Sequence, residues 1–416
     1  MAREEILPVE SGPAAATDRP ARALLARPDY RRLWLAGCVA NSMRWLELLV
    51  VGIYTFDLTG STLMVALVTV ARTLPLLLLG ALAGAVGEAL DRKRLLVAGL
   101  LVTALNGALL CGLWFVGALR LWHVALGAMV SGTVATGEMA VRRRMVGEVV
   151  APSELSRAIA LDSLSISLSR LMGPLVGGVL FEAVGLGGAY LLSALLHALA
   201  AFGIARLAFR QERGRLSLAR LPRDIAEGLA VARAHPVIRA VLIVSVITNV
   251  FGFSYAALVA PIGLDTFGVS PALVGVLAAG EPLGAVIGGL VLSLGWLGAD
   301  HPRLFIGGSF GFMIALVVMA QSPWFGLAFA ALLLGGLGTA RYSIMQTSLV
   351  LAEAPPALRS RVMGIVAACI GTGPLGVLLV GLLSSALGAP AALSVMAGCG
   401  LVGLTLTRWR IPALRA

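Results

Sequence analysis

The chain has 416 residues, of which 59% are hydrophobic and 13% are charged. A soluble protein of this length cannot bury so much apolar surface in one core, so the composition indicates a polytopic protein in a lipid bilayer. The net charge of +11 does not indicate nucleic acid as a partner, because the arginines lie in short segments between apolar runs.

The apolar runs are each about 20 residues long, the length that an α-helix needs to cross the core of a bilayer. Twelve such spans are predicted, and we number them in chain order. Spans 1 to 6 are residues 33–56, 62–87, 95–117, 121–141, 158–182 and 187–205. Spans 7 to 12 are residues 240–263, 271–296, 304–320, 323–347, 361–385 and 390–407.

The spans fall into two sets of six, so the predicted fold class is all-α, with two six-helix bundles in the membrane. The expected domains are a tail at 1–30, a first bundle at 31–206, a linker at 207–238, a second bundle at 239–408 and a tail at 409–416. After Pro222 the linker has apolar and charged faces at helical spacing. This pattern predicts either a connecting helix along the membrane surface or a solvated linker.

The two sets of six repeat one another. On an offset of 209 residues Arg72 falls on Glu281, and on an offset of 200 Gly173-Pro174 in span 5 falls on Gly373-Pro374 in span 11. An even number of spans per repeat gives both halves one orientation, related by an axis along the membrane normal. We therefore expect Arg72 and Glu281 to face each other across the bundle interface.

The charged turns predict the orientation. The turns after the even-numbered spans carry most of the arginines, whereas the other turns carry Asp57, Glu182 and Asp265. By the positive-inside rule both termini are expected to be cytoplasmic. Residues 1–30 lack the apolar core of a secretory signal and fit a cytoplasmic tail. One lysine among 32 basic residues indicates a GC-rich genome and hence the inner membrane of a bacterium.

Several segments together resemble a known superfamily. The layout of two sets of six spans is one feature. The others are the segments GAVGEALDRKRL after span 2, SRLMGPLVGG in span 5 and EGLAVARAHPVIRA in the linker. From Pro28 to about Arg408 the chain resembles the major facilitator superfamily, most of all its bacterial twelve-helix drug and siderophore exporters. The resemblance implies a cavity for a small-molecule substrate between the two bundles and a rocker-switch cycle.

The segment after span 2 is similar to the superfamily's signature, a glycine followed four residues later by an acid and then by a basic cluster. The acid can pair with arginines at the end of span 4 and with the N-terminal dipole of span 11, which would hold the cytoplasmic side closed. The sequence departs from the signature, with Glu88 in place of the usual Asp and Ala89 in place of a basic residue. The alternative is that these charges only set topology. The predicted gate residues are Gly84, Glu88, Asp91, Arg92, Arg94, Arg142 and Arg143.

Gly173-Pro174 and Gly177-Gly178 in span 5 resemble a motif of the superfamily's antiporters. Small residues allow close approach to a neighbouring helix, and the proline removes one backbone hydrogen bond and bends the span. We expect a packing and hinge element here and in its copy, Gly373-Pro374. The motif favours export by resemblance only.

Ionisable residues inside the spans are costly unless they are paired. They are Arg44, Glu47, Arg72, Glu138, Asp162, Arg170, Glu281 and Arg341. No acid or arginine lies within spans 3, 6, 9 or 12, which stand outside the cavity in the resembled fold. This distribution predicts a polar central pathway, and four arginines with four acids indicate no preferred substrate charge.

Some of these charges have local explanations. Arg44 and Glu47 are three residues apart on one helical face, so they either neutralise each other or line the cavity. Glu138 is expected to form a structural pair with Arg142, four residues later. Asp162 either caps its helix or pairs with the arginine cluster, and Arg170 is expected to be structural.

Glu281 has no neighbour of opposite charge along its own helix. Either Arg72 or Arg44 reaches it across the bundle interface, or it is protonated for part of a cycle. A carboxylate that alternates between these conditions is what proton-coupled export requires. Glu281 is therefore the leading proton-coupling candidate and Glu47 the second, with Arg44, Arg72 and Arg341 lining the cavity.

No cluster has metal-ligand spacing, and no nucleotide-binding loop or catalytic constellation is present. We expect a monomeric transporter without cofactors, driven by the proton gradient, rather than an enzyme. The alternatives are a lipid or lysophospholipid translocator, a metabolite importer, and a membrane sensor or scaffold. The last is disfavoured because buried charges are costly to keep without a pathway.

Overall fold

The computed structural model describes residues 24–209, 226–227, 230–231, 233–294 and 301–414. At 81–89, 152, 301 and 357 it describes the backbone alone. Within these ranges the regular secondary structure is helical throughout, and eleven helices are long and apolar enough to cross a membrane. The all-α fold class is confirmed.

The first half holds spans 1 to 6. Spans 1 to 4 are the helices Pro28–Thr59, Thr62–Ala89, Arg92–Phe115 and Leu121–Val149. Spans 5 and 6 form one run, Leu155–Ala205, which at 1.5 Å per residue is about 75 Å long and so long enough to cross twice. Gly185 divides the run, because its φ of 66° and ψ of −170° are outside the helical region and require a glycine.

The second half holds spans 7 to 12. Span 7 begins as Pro236–Ile247 and continues through π and 3₁₀ turns to Thr266. Spans 8, 9 and 10 are Pro271–Ser293, His301–Ala320 and Phe325–Glu353. Span 11 consists of Arg359–Ile370 and Gly373–Leu387, and span 12 is Ala389–Arg410.

The two glycine–proline motifs have different local structures. The helix of span 5 runs through Pro174, and Gly185 is its only residue with non-helical backbone angles. Span 11 ends its first helix just before Gly371 and starts its second at Gly373, with Pro374 in the first turn. A proline is tolerated there because the first helical turn leaves its N–H groups unbonded. The helix is therefore interrupted at the motif of span 11 and continuous at that of span 5, and the hinge role of both motifs stays a prediction.

The linker is described only in part. Residues 226–227, 230–231 and 233–234 are helical, and Glu227 forms an ion pair with Arg361 at the start of span 11. The remainder of the predicted connecting helix lies outside the described residues, as do residues 1–23 of the predicted tail.

The arginine-rich ends of the spans lie together because successive spans alternate in direction. We call the end that carries Arg92, Arg142 and Arg359 the basic face. The two halves meet where span 5 packs on span 8 and span 2 packs on span 11. Span 1 also packs against the last part of span 7.

Small residues bring spans 5 and 8 into backbone contact. A Cβ added at Gly178 would meet the Pro271 carbonyl and, at 3.0 Å, the Gly275 Cα atom. A Cβ at Gly275 would lie 2.5 Å from the Pro174 carbonyl. These contacts lie toward the end opposite the basic face.

Two hydrogen bonds join the halves at that same end. The Ser384 hydroxyl of span 11 donates to the Thr62 hydroxyl of span 2 at 2.6 Å. The Ala272 N–H, in the first turn of span 8, donates to the Glu182 carboxylate of span 5 at 2.9 Å. Carboxylates are favourable at helix N-termini, so Glu182 stabilises the closed arrangement of this end.

We expect cysteines at Thr62 and Ser384 to form a disulfide, because the side-chain oxygens they replace lie 2.6 Å apart. Gly178→Ala should lower the yield, since its Cβ overpacks the span 5–span 8 crossing at a cost of about 1–3 kcal/mol. The measurement replaces the four native cysteines by alanine, inserts a protease site in the linker and asks whether the halves stay linked after cleavage.

Gly289→Ala in span 8 is the matched control, since a Cβ there has nothing within 4 Å. Equal disulfide yields in the two variants would contradict the close approach at Gly178.

Candidate functional site

A buried ion pair joins the two halves at mid-membrane. The Arg170 guanidinium of span 5 bonds the Glu281 carboxylate of span 8. The Glu281 side chain is fully buried, and 25% of the Arg170 side chain is exposed. Thr339 of span 10 donates its hydroxyl to the other Glu281 oxygen. Because both carboxylate oxygens are bonded, the charge of Glu281 is stabilised despite its burial.

Aromatic rings from both halves flank the arginine. The Arg170 guanidinium lies 5.5 Å from the Trp45 ring centre of span 1 and 5.7 Å from that of Phe253 in span 7. Cation–π attraction adds to the ion pair at such distances. Four spans, 1, 5, 7 and 8, therefore meet around one guanidinium.

The prediction that Arg72 or Arg44 pairs with Glu281 was wrong. Arg72 bonds Glu47 of its own half at 2.9 Å, and Arg44 bonds Glu138 at 3.4 Å. The repeat relates spans 2 and 8 by symmetry, but span 2 packs on span 11 of the other half rather than on span 8. Span 8 packs on span 5, so the arginine that reaches Glu281 comes from span 5.

A second cluster lies inside the first bundle around Glu47, which is 4% exposed. Arg72 bonds one carboxylate oxygen, and the Ser193 hydroxyl of span 6 donates to the other at 2.5 Å. His197, one turn further along span 6, bonds Ser193 in turn. Neither Ser193 nor His197 was predicted from the sequence as a site residue, although their i, i+4 spacing on an apolar span was the available signal.

A chain of ion pairs continues from this cluster to the basic face. Arg44 does not neutralise Glu47, as the first alternative had it, but pairs with Glu138. Glu138 also bonds Arg142 at 3.2 Å, which confirms that structural pair. Arg142 bonds Asp162 as well, in agreement with the expected pairing of Asp162 with the arginine cluster.

A small cavity lies within this network. Its volume is about 30 Å³, and its lining includes Arg44, Glu47, Arg72, Glu138 and His197. A water molecule needs about 10–15 Å³ by the same measure, so the cavity has room for about two waters. The polar lining supplies the hydrogen-bond partners that buried water requires.

The predicted gate residues contact their own half. The Asp91 carboxylate accepts from the Arg94 N–H at 2.9 Å and caps span 3. Arg92 pairs with Glu148 of span 4, and Arg142 is occupied as described above. Arg143 is exposed. At Gly84 and Glu88 only the backbone is described, so the part of these two residues in the gate stays a prediction.

The span 5 motif packs two helices at once. A Cβ at Gly173 would meet Trp45 and the Leu46 N–H at 3.0 Å, and one at Gly177 would lie 3.2 Å from the Leu46 carbonyl. These glycines face span 1, whereas Gly178 faces span 8. In the copy, Gly373 has no neighbour within 4 Å of its Cβ position. The motif of span 5 is therefore where one helix contacts both halves.

Arg341 is not among the described partners of Glu281. A Cβ at Gly308 of span 9 would lie 2.8 Å from the Arg341 Cβ atom, so its stem packs against span 9. Thr339, two residues earlier, is the span 10 residue that bonds Glu281. No pattern in the sequence distinguished this threonine from the other small residues of span 10.

The second half has an uncharged counterpart to the first bundle's network. Gln346 donates to the Ser245 hydroxyl at 2.5 Å and to the Tyr342 hydroxyl at 2.9 Å, and Asn249 donates to Tyr342 at 3.3 Å. Neutral groups satisfy one another here without ionised partners. Charge is thus concentrated in the first half and at the interface.

Arg142→Gln is expected to destabilise the protein by about 3–5 kcal/mol, because it leaves the buried Asp162 carboxylate without its cation and Glu138 with Arg44 alone. The matched control is Arg27→Gln, whose ion pair with Glu154 is at the surface and is worth about 0–1 kcal/mol. Thermal unfolding of the purified protein in detergent measures both. Equal losses of stability in the two variants would contradict the structural role assigned to Arg142.

Comparisons with known proteins agree with this architecture. A family model described as transmembrane secretion effector matches residues 20–416. Macrolide efflux protein A of Streptococcus pyogenes is 23% identical over 368 residues, which cover 86% of this chain and 90% of that protein. The multidrug efflux pump Tap of Mycolicibacterium fortuitum is 27% identical over 375 residues, 84% of this chain and 89% of that protein.

Solved structures share the fold at low identity. A bacterial homologue of the human lysosomal transporter Spinster has a TM-score of 0.71 and 17% identity, covering 94% of this chain and 98% of that one. The peptide transporter POT in complex with sulfate has a TM-score of 0.72 and 13% identity, covering 95% and 99%. The matched family and relatives are multi-pass membrane transporters rather than enzymes, and the chain belongs to the transmembrane secretion effector family of the major facilitator superfamily.

Proposed function

We propose that this protein is a proton-coupled exporter of amphipathic small molecules that works by rocker-switch alternating access. The observation that carries the proposal is the Arg170–Glu281 ion pair between the two halves. A fully buried carboxylate shared between two bundles ties their relative position to its own charge. The efflux named for the relatives from Streptococcus and Mycolicibacterium supports the direction of transport.

The ion pair gives a proton control over the bundle interface. While Glu281 is ionised, moving span 8 away from span 5 would leave two charges unpaired in an apolar surrounding, which costs several kcal/mol. In this state Arg170 keeps Glu281 ionised, so a proton that Glu281 carried inward is released toward the basic face. Substrate that binds at this site takes the place of the ion pair, and the halves then separate at the end opposite the basic face. A proton that enters there neutralises Glu281 as the substrate leaves, and the protonated carboxyl lets the halves return without substrate.

The described contacts support one closed side. The hydrogen bonds of Ser384 and Glu182, together with the glycine crossing of Gly178, all lie away from the basic face. At the basic face, the described bonds of the gate residues Asp91, Arg94 and Arg92 are to residues of their own half. In our proposal this state is open to the cytoplasm, with both termini on that side of a bacterial inner membrane. The gate residues then cross to span 11 in the opposite state.

Glu281→Gln should abolish the coupling of transport to a pH gradient, because the amide cannot gain or lose the proton. The measurement uses proteoliposomes with an internal pH dye and three probes, the cation ethidium, neutral dansylamide and the anion dansylglycine. The wild type should exchange protons for at least one probe, and the variant should move that probe without proton movement. Glu154→Gln, a surface pair at the basic face, should retain coupling.

Two outcomes would contradict the proposal. Full gradient-driven transport by Glu281→Gln would remove this residue from the coupling step. Probe movement by the wild type with no proton exchange would remove coupling itself.

The disulfide between cysteines at Thr62 and Ser384 should stop transport, because it holds closed the end that must open. Reductant should restore most of the transport rate in the same vesicles. The two single-cysteine variants serve as controls and should be insensitive to oxidant. Undiminished transport by the fully cross-linked protein would exclude the rocker-switch cycle.

A further inference from the structure

A buried histidine of span 6 lies beside the charged cluster of the first bundle. His197 is 5% exposed and lines the same cavity as Glu47, Arg44 and Arg72. It stands on a span expected to lie outside the pathway, and the coupling step at Glu281 does not use it. Its position inside a polar cavity calls for a role beyond packing.

The hydrogen bonds of His197 determine which ring nitrogen is available. Its Nδ1 atom lies 2.8 Å from the Ser193 carbonyl oxygen, which can only accept, so Nδ1 carries the hydrogen. In the neutral ring Nε2 then holds the lone pair, and an added proton binds there. The Ser193 hydroxyl lies 3.2 Å from Nδ1 and donates to Glu47. One hydroxyl thus links the imidazole to the carboxylate.

The other charges around this histidine are balanced. Arg72 pairs with Glu47, and Arg44 pairs with Glu138. The groups that face the cluster are Arg44 and Glu47 from span 1, Arg72 from span 2, Thr103 from span 3, Ser131 and Glu138 from span 4, and Ser193 and Tyr190 from span 6. A proton on His197 adds one positive charge to this balanced cluster, next to the Glu47 carboxylate to which Ser193 links the ring.

The cavity offers a route for that proton. It has room for about two waters, and Glu138 in its lining bonds Arg142, which bonds Asp162 near the basic face. Carboxylates of spans 1, 4 and 5 thus follow one another from the histidine to the basic face. No such charged series is described in the second half.

We infer that His197, Ser193 and Glu47 form a second proton-binding site, inside the first bundle and separate from Glu281. The inference rests on the proposed proton-coupled export and makes the cycle carry one proton at each site. Glu281 controls the contact between the halves, and the His197 site releases its proton toward the basic face. The ligand of the new site is a proton, received by Nε2.

Magnetic resonance of the full-length chain labelled at histidine tests proton binding without transport. The chain has four histidines, and the His197 signals are those absent from His197→Gln. Across a pH series in which the protein stays folded, we expect the Nδ1–H tautomer at the alkaline end and a doubly protonated ring at the acidic end. Should His197→Gln fold poorly, replacing His123, His235 and His301 leaves His197 as the only labelled histidine.

The ratio of protons to probe in proteoliposomes tests the coupling of this site. For each of the three probes that the wild type moves, His197→Gln should halve the ratio while transport continues. His123→Gln is the matched control, because that ring packs on Trp122 at the end opposite the basic face. It should keep the wild-type ratio.

The outcomes separate this site from the proposed function. A His197 ring that stays singly protonated throughout the pH series, or an unchanged proton ratio in His197→Gln, would overturn the second site. If no probe moves protons in the wild type, the proposed export fails, and the magnetic resonance measurement still decides whether His197 binds a proton.

Discussion

Buried charges in an apolar surrounding must be paired, and that requirement determines how the spans of this protein come together. Arg170, Arg72 and Arg142 each reach a carboxylate on a different span. Leaving any of them unpaired would cost several kcal/mol, comparable to the whole stability of many folded domains. The ion pairs therefore specify neighbours that apolar packing alone, similar on all sides of a helix in lipid, does not specify.

The two halves share a topology but differ in how they satisfy buried polar groups. The first bundle uses a series of arginines and acids, whereas the second uses the amide and hydroxyl groups of Asn249, Tyr342 and Gln346. Ionised networks respond to protons and neutral ones do not. In the proposed cycle, protons are therefore handled by the first bundle and by Glu281 of span 8, while the neutral network of the second half takes no part.

The fold could be predicted from sequence because length and apolarity of a span are local properties. The break between spans 5 and 6 was also visible, since Gly185 falls where the apolar run exceeds one crossing. The partner of Glu281 could not be predicted in this way. The offset that relates Arg72 to Glu281 shows that the two positions are equivalent in the repeat, and equivalent positions need not be in contact. Arg170 was assigned to structure because its motif was known for packing, and a motif does not show what lies on the adjoining face.

Hydrogen-bonding residues were harder to predict than charges. Thr339, Ser193 and His197 complete the two central sites, yet serine, threonine and histidine also occur singly in apolar helices without such a role. Only the approach of a second span distinguishes the two cases. The side chains that orient a buried carboxylate therefore depend on tertiary packing, which one sequence does not reveal.

The ion pair and the glycine crossing belong to one device. Spans 5 and 8 approach within backbone contact at Gly178 and Gly275, about two turns from Arg170 and Glu281 along each helix. A contact that close cannot stretch; it either holds or opens. In the proposed cycle, the glycines provide the close packing that makes the interface two-state, and the carboxylate supplies the energy difference that a proton can cancel. Small residues alone would leave the interface insensitive to protons, and a charge pair alone, without close packing, would admit water and lose its strength.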